Sequence, residues 1–434
     1  MYRYGNILLF LVCFIAHTNM MTQKAILVIG YNNTRVNDVK KIAALGKEHL
    51  DAVTVLCKKS PMPQDFKAAD YVIDTDLYAE QALAETVIQQ CRDLDLSIIA
   101  VLPFSDQGTQ LGAILAKTLN LPGANPEYIR GALDKSYFRQ QEQQCAEFPV
   151  GYRPIFSTTI HSKHELQIIM RQYPDGVFLK PCQEGNNRGC TAVLGIEDCD
   201  RAWNFVEKYK AGGIIAEELI LDAQEYSCDS VGHLSWLTLK FTSLGTSGKY
   251  RGENGYILPA PDNQNDTDNK LAAGIFMANL CGSNEGAYHN ELFYKDGTIM
   301  AVEPNLRPAG GRIWDAAAIA FEDFNPWLCW LKSMAGLPVE QTQLKRACYV
   351  GVRAIEVMRD GCVIQLPELE TKYFGNTEVV ELVWIKKIGD HVTQDHRDTT
   401  DFLGYIIAKN QNAAELEQAL LSITCTLAAG TVIQ

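Results

Sequence analysis

Residues 289–312 read HNELFYKDGTIMAVEPNLRPAGGR, the stretch of the sequence with the densest structural signals. Its Asp296-Gly297 dipeptide is typical of a hairpin turn and stands between two apolar runs, which predicts two adjacent antiparallel strands. Glu291 lies in the first run and Glu303 ends the second. The stretch therefore predicts two carboxylates on neighbouring strands of one sheet.

The second strand and its continuation carry polar side chains at every other position. Glu303, Asn305 and Arg307 stand at i, i+2 and i+4, which places them on one face of an extended strand. Carboxylate and amide oxygens are hard ligands of the kind Mg²⁺ takes while it keeps phosphate oxygens and water. Glu291, Glu303 and Asn305 are therefore candidate metal ligands, and the Arg307 guanidinium can bind a phosphoryl group. The alternative is a polar, solvated strand face followed by a simple loop at residues 309–311.

Length and composition are those of an ordinary globular protein. The chain has 434 residues, of which 47% are hydrophobic and 21% charged, enough for about two to four lobes. Its 39 basic and 52 acidic residues give a net charge of −13. This charge argues against a nucleic-acid partner, because phosphate binding starts from excess basic charge. A small molecule, held by local cations, a metal or backbone amides, is the favoured ligand.

Two features bear on the cellular compartment. The 13 cysteines include no CxxC pair and no Cys/His cluster at metal-ligand spacing, which predicts reduced thiols of a cytoplasmic protein. The apolar run ILLFLVCFIA, residues 7–16, is too short for a membrane helix and has the length of a signal-peptide core. No small-x-small cleavage site follows it. Three interpretations of residues 1–20 stay open: an export signal, a loose anchor, or an upstream start before Met20 or Met21.

The first lobe, residues 21–125, alternates strands and helices as a doubly wound α/β lobe does. The apolar run AILVIG, residues 25–30, opens the pattern, and residues 30–33 read GYNN rather than the glycine fingerprint GxGxxG. The missing glycines argue against a nicotinamide oxidoreductase. Further strands are predicted at residues 52–56, 71–73 and 97–101, and helices at residues 79–93 and 109–119.

The remainder of the chain predicts three more lobes without repeats or low-complexity linkers between them. They are a small lobe at residues 126–213, a larger lobe with antiparallel strands and the metal site at residues 214–335, and a closing α/β lobe at residues 336–434. The lack of tethers predicts that the lobes pack together.

Two lysines are candidates for phosphate binding. Lys180 ends an apolar strand and enters the loop PCQEGNNRGC, which resembles a phosphate cradle although it is not a GxxxxGK[ST] loop. Lys135, in GALDKSYFRQ, begins a helix that carries Arg139 four residues later. Each lysine has a plain alternative, since Lys180 is also typical of a strand end and Lys135 of a solvated helical face.

A third candidate site lies in AEELILDAQEYS, residues 216–227. Two carboxylates, Glu218 and Glu225, flank the apolar residues 219–221 in a strand-loop-strand. A buried hinge of this kind offers backbone groups to an adenine edge and a carboxylate to ribose hydroxyls. The alternative is a surface turn with solvated acids.

Taken in order, these motifs resemble the ATP-grasp superfamily, and within it the carboxylate–amine ligases that include bacterial dipeptide ligases and carnosine synthase. The resemblance begins at Lys24 and covers nearly all of the chain after it. It implies an ATP-grasp fold in which Lys135 and Lys180 are the nucleotide lysines. Arg188 then lies in the loop that closes over the phosphates, although Asn187 stands where the family commonly has Ser.

The resemblance also implies roles for the other candidates. Glu218 and Leu221 form the base of an adenine hinge and Glu225 binds ribose, whereas Arg307 clamps the phosphate and the acyl phosphate. The segment ENGYILPAP, residues 253–261, resembles the family's substrate-side loop. A His often stands there in place of Tyr256. The implied catalytic residues are Arg307, Lys180 and Arg188, and the implied substrate residues are Asp106, Glu253, Tyr256 and Arg307.

Asp106 follows the strand at residues 97–102, at the end where open α/β sheets place ligands. It is a candidate partner for the ammonium group of an amino acid. The alternative is that its side chain caps the helix that begins near Thr109.

The activity that the resemblance implies is ligation at the expense of ATP, with Mg²⁺ or Mn²⁺ as the metal. A carboxylate becomes an acyl phosphate, and an amine then attacks it to give an amide, ADP and phosphate. The expected partners are a small carboxylate and a small amine, and a second copy of the chain in a homodimer. The alternatives are a carboxylase or a phosphoribosyl-type ligase of the same superfamily, or a nucleotide-binding protein without turnover.

Overall fold

The computed structural model describes residues 22–78, 80–185, 187–243, 252–283, 286–394 and 400–434. The apolar extension predicted at residues 1–20 lies outside these ranges. Within them, no helix is long and apolar enough to cross a membrane.

The N-terminal lobe is a parallel sheet with strand order β3-β2-β1-β4 and helices on both faces. Alternate residues of β1 are buried on opposite faces: Ile26 and Val28 pack toward α1, and Leu27 packs toward α2 and α3. Burial on both faces explains the continuous apolar runs, and the predicted doubly wound lobe is confirmed. Its elements are β1 (Gln23–Ile29), α1 (Val36–Leu50), β2 (Ala52–Lys58), β3 (Tyr71–Asp74), α2 (Gln81–Asp93), β4 (Leu96–Pro103) and α3 (Gly108–Leu119).

The small lobe is an antiparallel sheet with strand order β5-β8-β6-β7. Helices α5 and α6 cover it through Leu166, Ile169 and Trp203. The sheet takes in a strand that lies beyond the boundary at residue 213 drawn from the sequence. Its elements are α4 (Lys135–Gln143), β5 (Ser157–Ile160), α5 (Lys163–Gln172), β6 (Val177–Pro181), β7 (Thr191–Val193), α6 (Cys199–Val206) and β8 (Ile214–Glu218).

The large lobe is built on a nine-stranded sheet with order β13-β12-β9-β10-β11-β14-β19-β17-β16. Its first part comprises β9 (Gln224–Val231), β10 (Leu234–Ser243), β11 (Gly252–Leu258), α7 (Gln264–Leu280), β12 (Ala287–Lys295), β13 (Thr298–Glu303), α8 (Ile313–Ala320) and α9 (Pro326–Met334). Helix α7 packs on one face of β9 and β12, through Ala273 and Met277 against Tyr226 and Leu292.

The C-terminal segment first extends the same sheet, since β14 pairs with β11. A separate sheet of order β18-β15-β20 closes the far end, and the last helix covers β14 and β19 through Leu416 and Leu420. The elements are β14 (Tyr349–Ile355), β15 (Gly361–Gln365), β16 (Tyr373–Phe374), β17 (Thr377–Trp384), β18 (His391–Val392), β19 (Gly404–Asn410), α10 (Ala413–Gly430) and β20 (Val432–Ile433).

Candidate functional site

The cleft face of the large sheet carries a grid of polar side chains. Strand register aligns Glu303, Glu291, Ser227 and Thr238 in one row across β13, β12, β9 and β10. The prediction that Glu291 and Glu303 lie on adjacent antiparallel strands is confirmed, because the two residues are direct cross-strand partners. Residues two positions away along each strand point to the same face, so the neighbouring rows add further polar groups. We call this set the cleft face; it comprises Glu225, Ser227, Asp229, Thr238, Lys240, His289, Glu291 and Glu303.

Strand β13 ends at Glu303, so Asn305 and Arg307 do not extend it as the sequence predicted. Pro304 follows and has no N–H to continue the ladder. The three side chains still form a chain, since Arg307 Nη2 lies 3.4 Å from Asn305 Oδ1 and Asn305 Nδ2 lies 3.5 Å from Glu303 Oε1. Glu303, Asn305 and Arg307 therefore lie together because of their side-chain contacts, not because they share one face of a strand.

Lys135 joins the small lobe to the expected metal ligands. It is the first residue of α4, where the Asp134 side chain caps the helix. Its Nζ lies 2.9 Å from Glu303 Oε2 and donates to the Glu184 carbonyl at 2.8 Å. The alternative of a solvated helical face is wrong, because the Lys135 side chain is only 13% exposed and Arg139 on the next turn is buried.

Lys180 is held by a carboxylate that sequence reasoning missed. Its Nζ lies 2.7 Å from Glu217 Oε2, and the Arg139 Nε donates to Glu217 Oε1 at 2.7 Å. Burial alone would raise the pKa of Glu217, but Arg139 and Lys180 outweigh burial and lower that pKa to about 2. Arg139 also donates to the Ala301 carbonyl of β13 at 2.7 Å. One buried network therefore connects Lys180 to the strand that ends in Glu303.

The predicted hinge lies between β8 and β9. The Glu218 carboxylate turns to the surface, where Arg153 Nη1 and Nη2 donate to it at 2.8 and 2.7 Å. The Leu221 carbonyl accepts from Lys295 Nζ at 2.9 Å. A cavity of about 410 Å³ opens beside the hinge; its lining includes Ile220, Leu221, Gln224, Lys240 and Asn254. Leu221 of the hinge therefore lines the cavity, whereas the Glu218 carboxylate points away from it. Glu225 belongs to the cleft face.

Lys240, a second residue missed by the sequence, lies at the centre of the cleft face. Its side chain is 1% exposed. Its Nζ contacts Glu291, lies 3.0 Å from Glu253 Oε2 and lies 3.9 Å from Glu225 Oε1. Burial would lower the pKa of Lys240, but these three carboxylates hold it well above its usual value. The sequence signal was weak, since Lys240 stands alone in an apolar strand.

His289 also belongs to the site, although no sequence motif pointed to it. Its Nδ1 lies 2.7 Å from Asp229 Oδ1 and its Nε2 lies 3.3 Å from Glu291 Oε1. Burial would lower the pKa of His289, but Asp229 outweighs burial and raises it to about 9. A protonated imidazole donates from both nitrogens, which matches its two carboxylate neighbours.

Asp106 meets Arg307 across the boundary between the N-terminal lobe and the large lobe. Arg307 Nε donates to Asp106 Oδ1 at 2.7 Å. Burial would raise the pKa of Asp106, but the Arg307 guanidinium holds it below its usual value. The capping alternative is wrong, because α3 begins at Gly108 without a side-chain cap. Only the Asp106 backbone carbonyl accepts from the Thr109 hydroxyl, at 2.7 Å.

Two of the implied substrate and phosphate residues have other partners. Tyr256 is buried, and its hydroxyl donates to the Gly311 carbonyl at 2.7 Å, so it fixes the loop after Arg307. Arg188 is exposed and pairs with Glu184 at 2.8 Å. A Cβ placed on Gly185 in the same loop would lie 4.0 Å from Asp106 Oδ2, so this loop borders the cleft.

The donor set at β12 and β13 fits a hard divalent cation that is completed by non-protein oxygens. Among the described residues, no group of three or more His, Cys, Asp and Glu side chains is arranged to hold a metal ion. The protein oxygens that are available to a metal ion are the carboxylates of Glu291 and Glu303 and the amide oxygen of Asn305. Mg²⁺ commonly uses one or two protein carboxylates and takes its other ligands from water and substrate phosphates.

No family model and no curated protein matches the sequence. Solved structures match the fold over nearly the whole chain. An L-amino acid ligase from Bacillus licheniformis has a TM-score of 0.71 at 17% identity, covering 95% of this chain and 99% of its own. A phosphoribosylglycinamide synthetase from Anaerococcus prevotii has a TM-score of 0.66 at 14% identity, covering 95% and 100%.

A third match is the biotin carboxylase domain of a 2-oxoglutarate carboxylase from Hydrogenobacter thermophilus, solved as a dimer with MgADP, ADP and bicarbonate. Its TM-score is 0.63 at 14% identity, covering 94% of this chain and 90% of its own. At these identities the likeness concerns the fold.

Proposed function

We propose that this chain, which has the ATP-grasp fold, is an ATP-dependent ligase that joins a carboxylate, of the amino-acid class, to an amine. One observation carries the proposal: Glu291 and Glu303 are cross-strand partners, and Lys135 contacts Glu303. The Arg307–Asp106 pair adjoins them through Asn305. Groups suited to a metal, a polyphosphate and a small zwitterion therefore converge in one cleft.

The nucleotide is proposed to lie between the small lobe and the cleft face. Lys135 and Lys180 supply point charges for the phosphates from two elements of the small lobe. The hinge backbone at residues 218–221 borders the adenine, with Leu221 in the lining of the cavity. Glu225 faces the ribose. The cavity beside the hinge has room for a base and a sugar.

Glu291, Glu303 and Asn305 are the proposed ligands of Mg²⁺. The bound ion neutralises phosphate charge and orients the transferring phosphoryl group. The chain's own part is to hold the two carboxylates in register, which β12 and β13 do through their pairing. Mn²⁺ prefers similar oxygen ligands and is the proposed substitute ion.

The proposed reaction has two steps. A substrate carboxylate oxygen attacks the γ-phosphorus of ATP, and ADP leaves with the electron pair of the broken bond. The amine then attacks the carbonyl carbon of the acyl phosphate, loses a proton, and phosphate departs with the former carboxylate oxygen. Arg307 and Lys180 stabilise the charge that develops on the phosphoryl oxygens, and Arg188 joins them when it exchanges Glu184 for phosphate.

The proposed substrate end is the boundary between the N-terminal and large lobes. Asp106 binds the ammonium group while Arg307 binds the carboxylate, so an incoming zwitterion replaces the existing Asp106–Arg307 contact with two contacts of its own. Glu253, the other implied substrate residue, pairs with Lys240 of the cleft face. Tyr256 holds the loop that follows Arg307 rather than touching the substrate.

A substrate screen tests this proposal. ADP and phosphate release is measured with MgATP and pairs drawn from amino acids and other small acids and amines. Release that requires both an amino acid and an amine supports the ligase. Release that requires bicarbonate or a phosphoribosylamine favours one of the related activities, and ATP binding without any turnover favours a nucleotide-binding protein.

A further inference from the structure

The expected metal ligand Glu291 is held through one of its two carboxylate oxygens. Its Oε1 is in contact with both the Lys240 Nζ and the His289 Nε2. Among the described residues, no hydrogen bond reaches Oε2. A glutamate side chain has several rotatable bonds, so this pair of contacts on a single oxygen restricts which way the other oxygen can point.

The imidazole that contacts Glu291 is held through its other nitrogen by Asp229. His289 and Asp229 are direct cross-strand partners on β12 and β9, and Nδ1 lies 2.7 Å from Asp229 Oδ1. The other oxygen of Asp229 accepts from the Ser227 and Thr238 hydroxyls at 2.7 and 3.0 Å. All four side chains are buried. Asp229 therefore has no freedom to turn away from the imidazole.

We infer that Asp229 and His289 are positioning residues which aim Glu291 Oε2 at the metal of the nucleotide complex. The inference rests on the proposed function, because it takes Glu291 as a metal ligand. Partners behind a ligand fix its orientation, and their loss typically weakens metal binding about 10- to 100-fold. A structural role alone would instead lower stability and leave metal affinity unchanged in the folded protein.

Calorimetry on the full chain separates these roles. ADP binding is measured without a divalent ion and then at saturating Mg²⁺, and the ratio of the two affinities is the metal-dependent gain. In His289→Leu we expect this gain to fall about 10-fold, while ADP affinity without metal stays as in the unchanged protein. His289→Gln places an amide donor near the former Nε2 and is expected to recover most of the gain.

Asp229→Asn is the second variant, and it carries the same expectation as His289→Leu if the latter fails to fold. Thr424→Val is the matched control: it deletes a buried hydroxyl that donates to the Leu420 and Leu421 carbonyls of α10. Helix α10 covers β14 and β19, and three strands separate β14 from β12. This control should keep the full metal-dependent gain. A parallel measurement with Mn²⁺ and its electron paramagnetic resonance signal reports bound metal directly.

The outcomes distinguish two failures. If His289→Leu and Asp229→Asn keep the gain while Glu291→Gln loses it, the positioning role is wrong and the metal assignment stands. If Glu291→Gln also keeps the gain, the metal assignment in the proposed function is wrong and the positioning role falls with it. A loss in His289→Leu that His289→Gln does not reduce also contradicts the inference.

Discussion

Lys240 and Lys270 are both fully buried, yet they lie on opposite faces of the same sheet in different surroundings. On the α7 face, Lys270 Nζ lies 2.6 Å from Asp262 Oδ2 and 4.2 and 3.8 Å from the ring centroids of Tyr226 and Tyr294. One carboxylate balances its charge and two aromatic rings exclude water. This arrangement is closed and leaves nothing for a ligand to satisfy.

On the cleft face, Lys240 meets three carboxylates, from Glu225, Glu253 and Glu291. His289 adds a second cation, but Asp229 beside it adds a fourth carboxylate. Among the described residues, the charge of Lys240 is therefore shared among several carboxylates, an arrangement to which a further cation can bind. The two lysines differ in that Lys270 has a single carboxylate partner in a closed contact, whereas Lys240 belongs to a larger charged cluster that faces the cleft.

The largest effect is expected from Glu303→Gln, which removes a proposed anionic metal ligand from the cleft face. We expect turnover to fall by at least about 100-fold, because the metal loses a ligand and Lys135 loses its partner. Folding should persist, since Glu303 ends its strand at the cleft. Steady-state assays and circular dichroism check both points, and retained ligation in a folded Glu303→Gln protein would refute the metal assignment.

Removing each lysine in turn tests whether the two buried lysines differ in their relation to a bound cation. Lys240→Met and Lys270→Met should both lower the free energy of unfolding, by about 3 to 5 kcal/mol, because each removes a buried cation from its carboxylate partners. Mg²⁺ should restore part of the stability of Lys240→Met and none of that of Lys270→Met. Thermal unfolding with and without Mg²⁺ measures the difference. Equal responses of the two variants would contradict the claim that only the surroundings of Lys240 bind a further cation.

A smaller effect is expected at the two lysines that are proposed to bind the nucleotide phosphates. Lys135→Ala and Lys180→Ala should each weaken binding of a non-hydrolysable ATP analogue about 10-fold, because each removes a charge-assisted contact to phosphate. Cys182→Ala is the matched control, since Cys182 lies two residues after Lys180 and is buried. Calorimetry decides the matter, and a greater loss in Cys182→Ala than in Lys180→Ala would refute the phosphate role of that segment.

The smallest effect is expected from Asp106→Asn, which keeps the shape of the side chain and one acceptor for Arg307. KM for an amino acid should rise a few-fold while ATP affinity is kept, because a partly exposed ion pair with the ammonium is lost. Amino and non-amino carboxylates are assayed side by side. Equal losses on both would reject Asp106 as the ammonium partner.

Local signals in the sequence were enough for the fold and for part of the site. The Asp296-Gly297 turn correctly predicts that Glu291 and Glu303 lie on adjacent strands. The register of the turn alone would pair Glu291 with Val302, and a register shift between Glu291 and Leu292 brings Glu303 opposite Glu291. The apolar run at residues 25–30 predicts a strand buried on both faces, and β1 is such a strand.

The missed residues depend on contacts between distant segments. Glu217 gains its role from Arg139, which is 78 positions away, and Lys240 gains its role from Glu291, which is 51 positions away. The sequence did carry some signal for Asp229, because the alternation of Glu225, Ser227 and Asp229 along one strand marks a polar face. Alternation shows which face a residue shares, but not which charges meet there.

Transfer of oxygen-18 from the carboxylate to phosphate tests the central claim most directly. The amino acid and amine that release the most phosphate are incubated with MgATP, with oxygen-18 in the amino-acid carboxylate. The account predicts one oxygen-18 atom in each phosphate released, seen as an isotope shift in phosphorus NMR, because phosphate leaves with the former carboxylate oxygen. Amide formation with unlabelled phosphate would contradict activation through an acyl phosphate, and with it the proposed chemistry of the cleft.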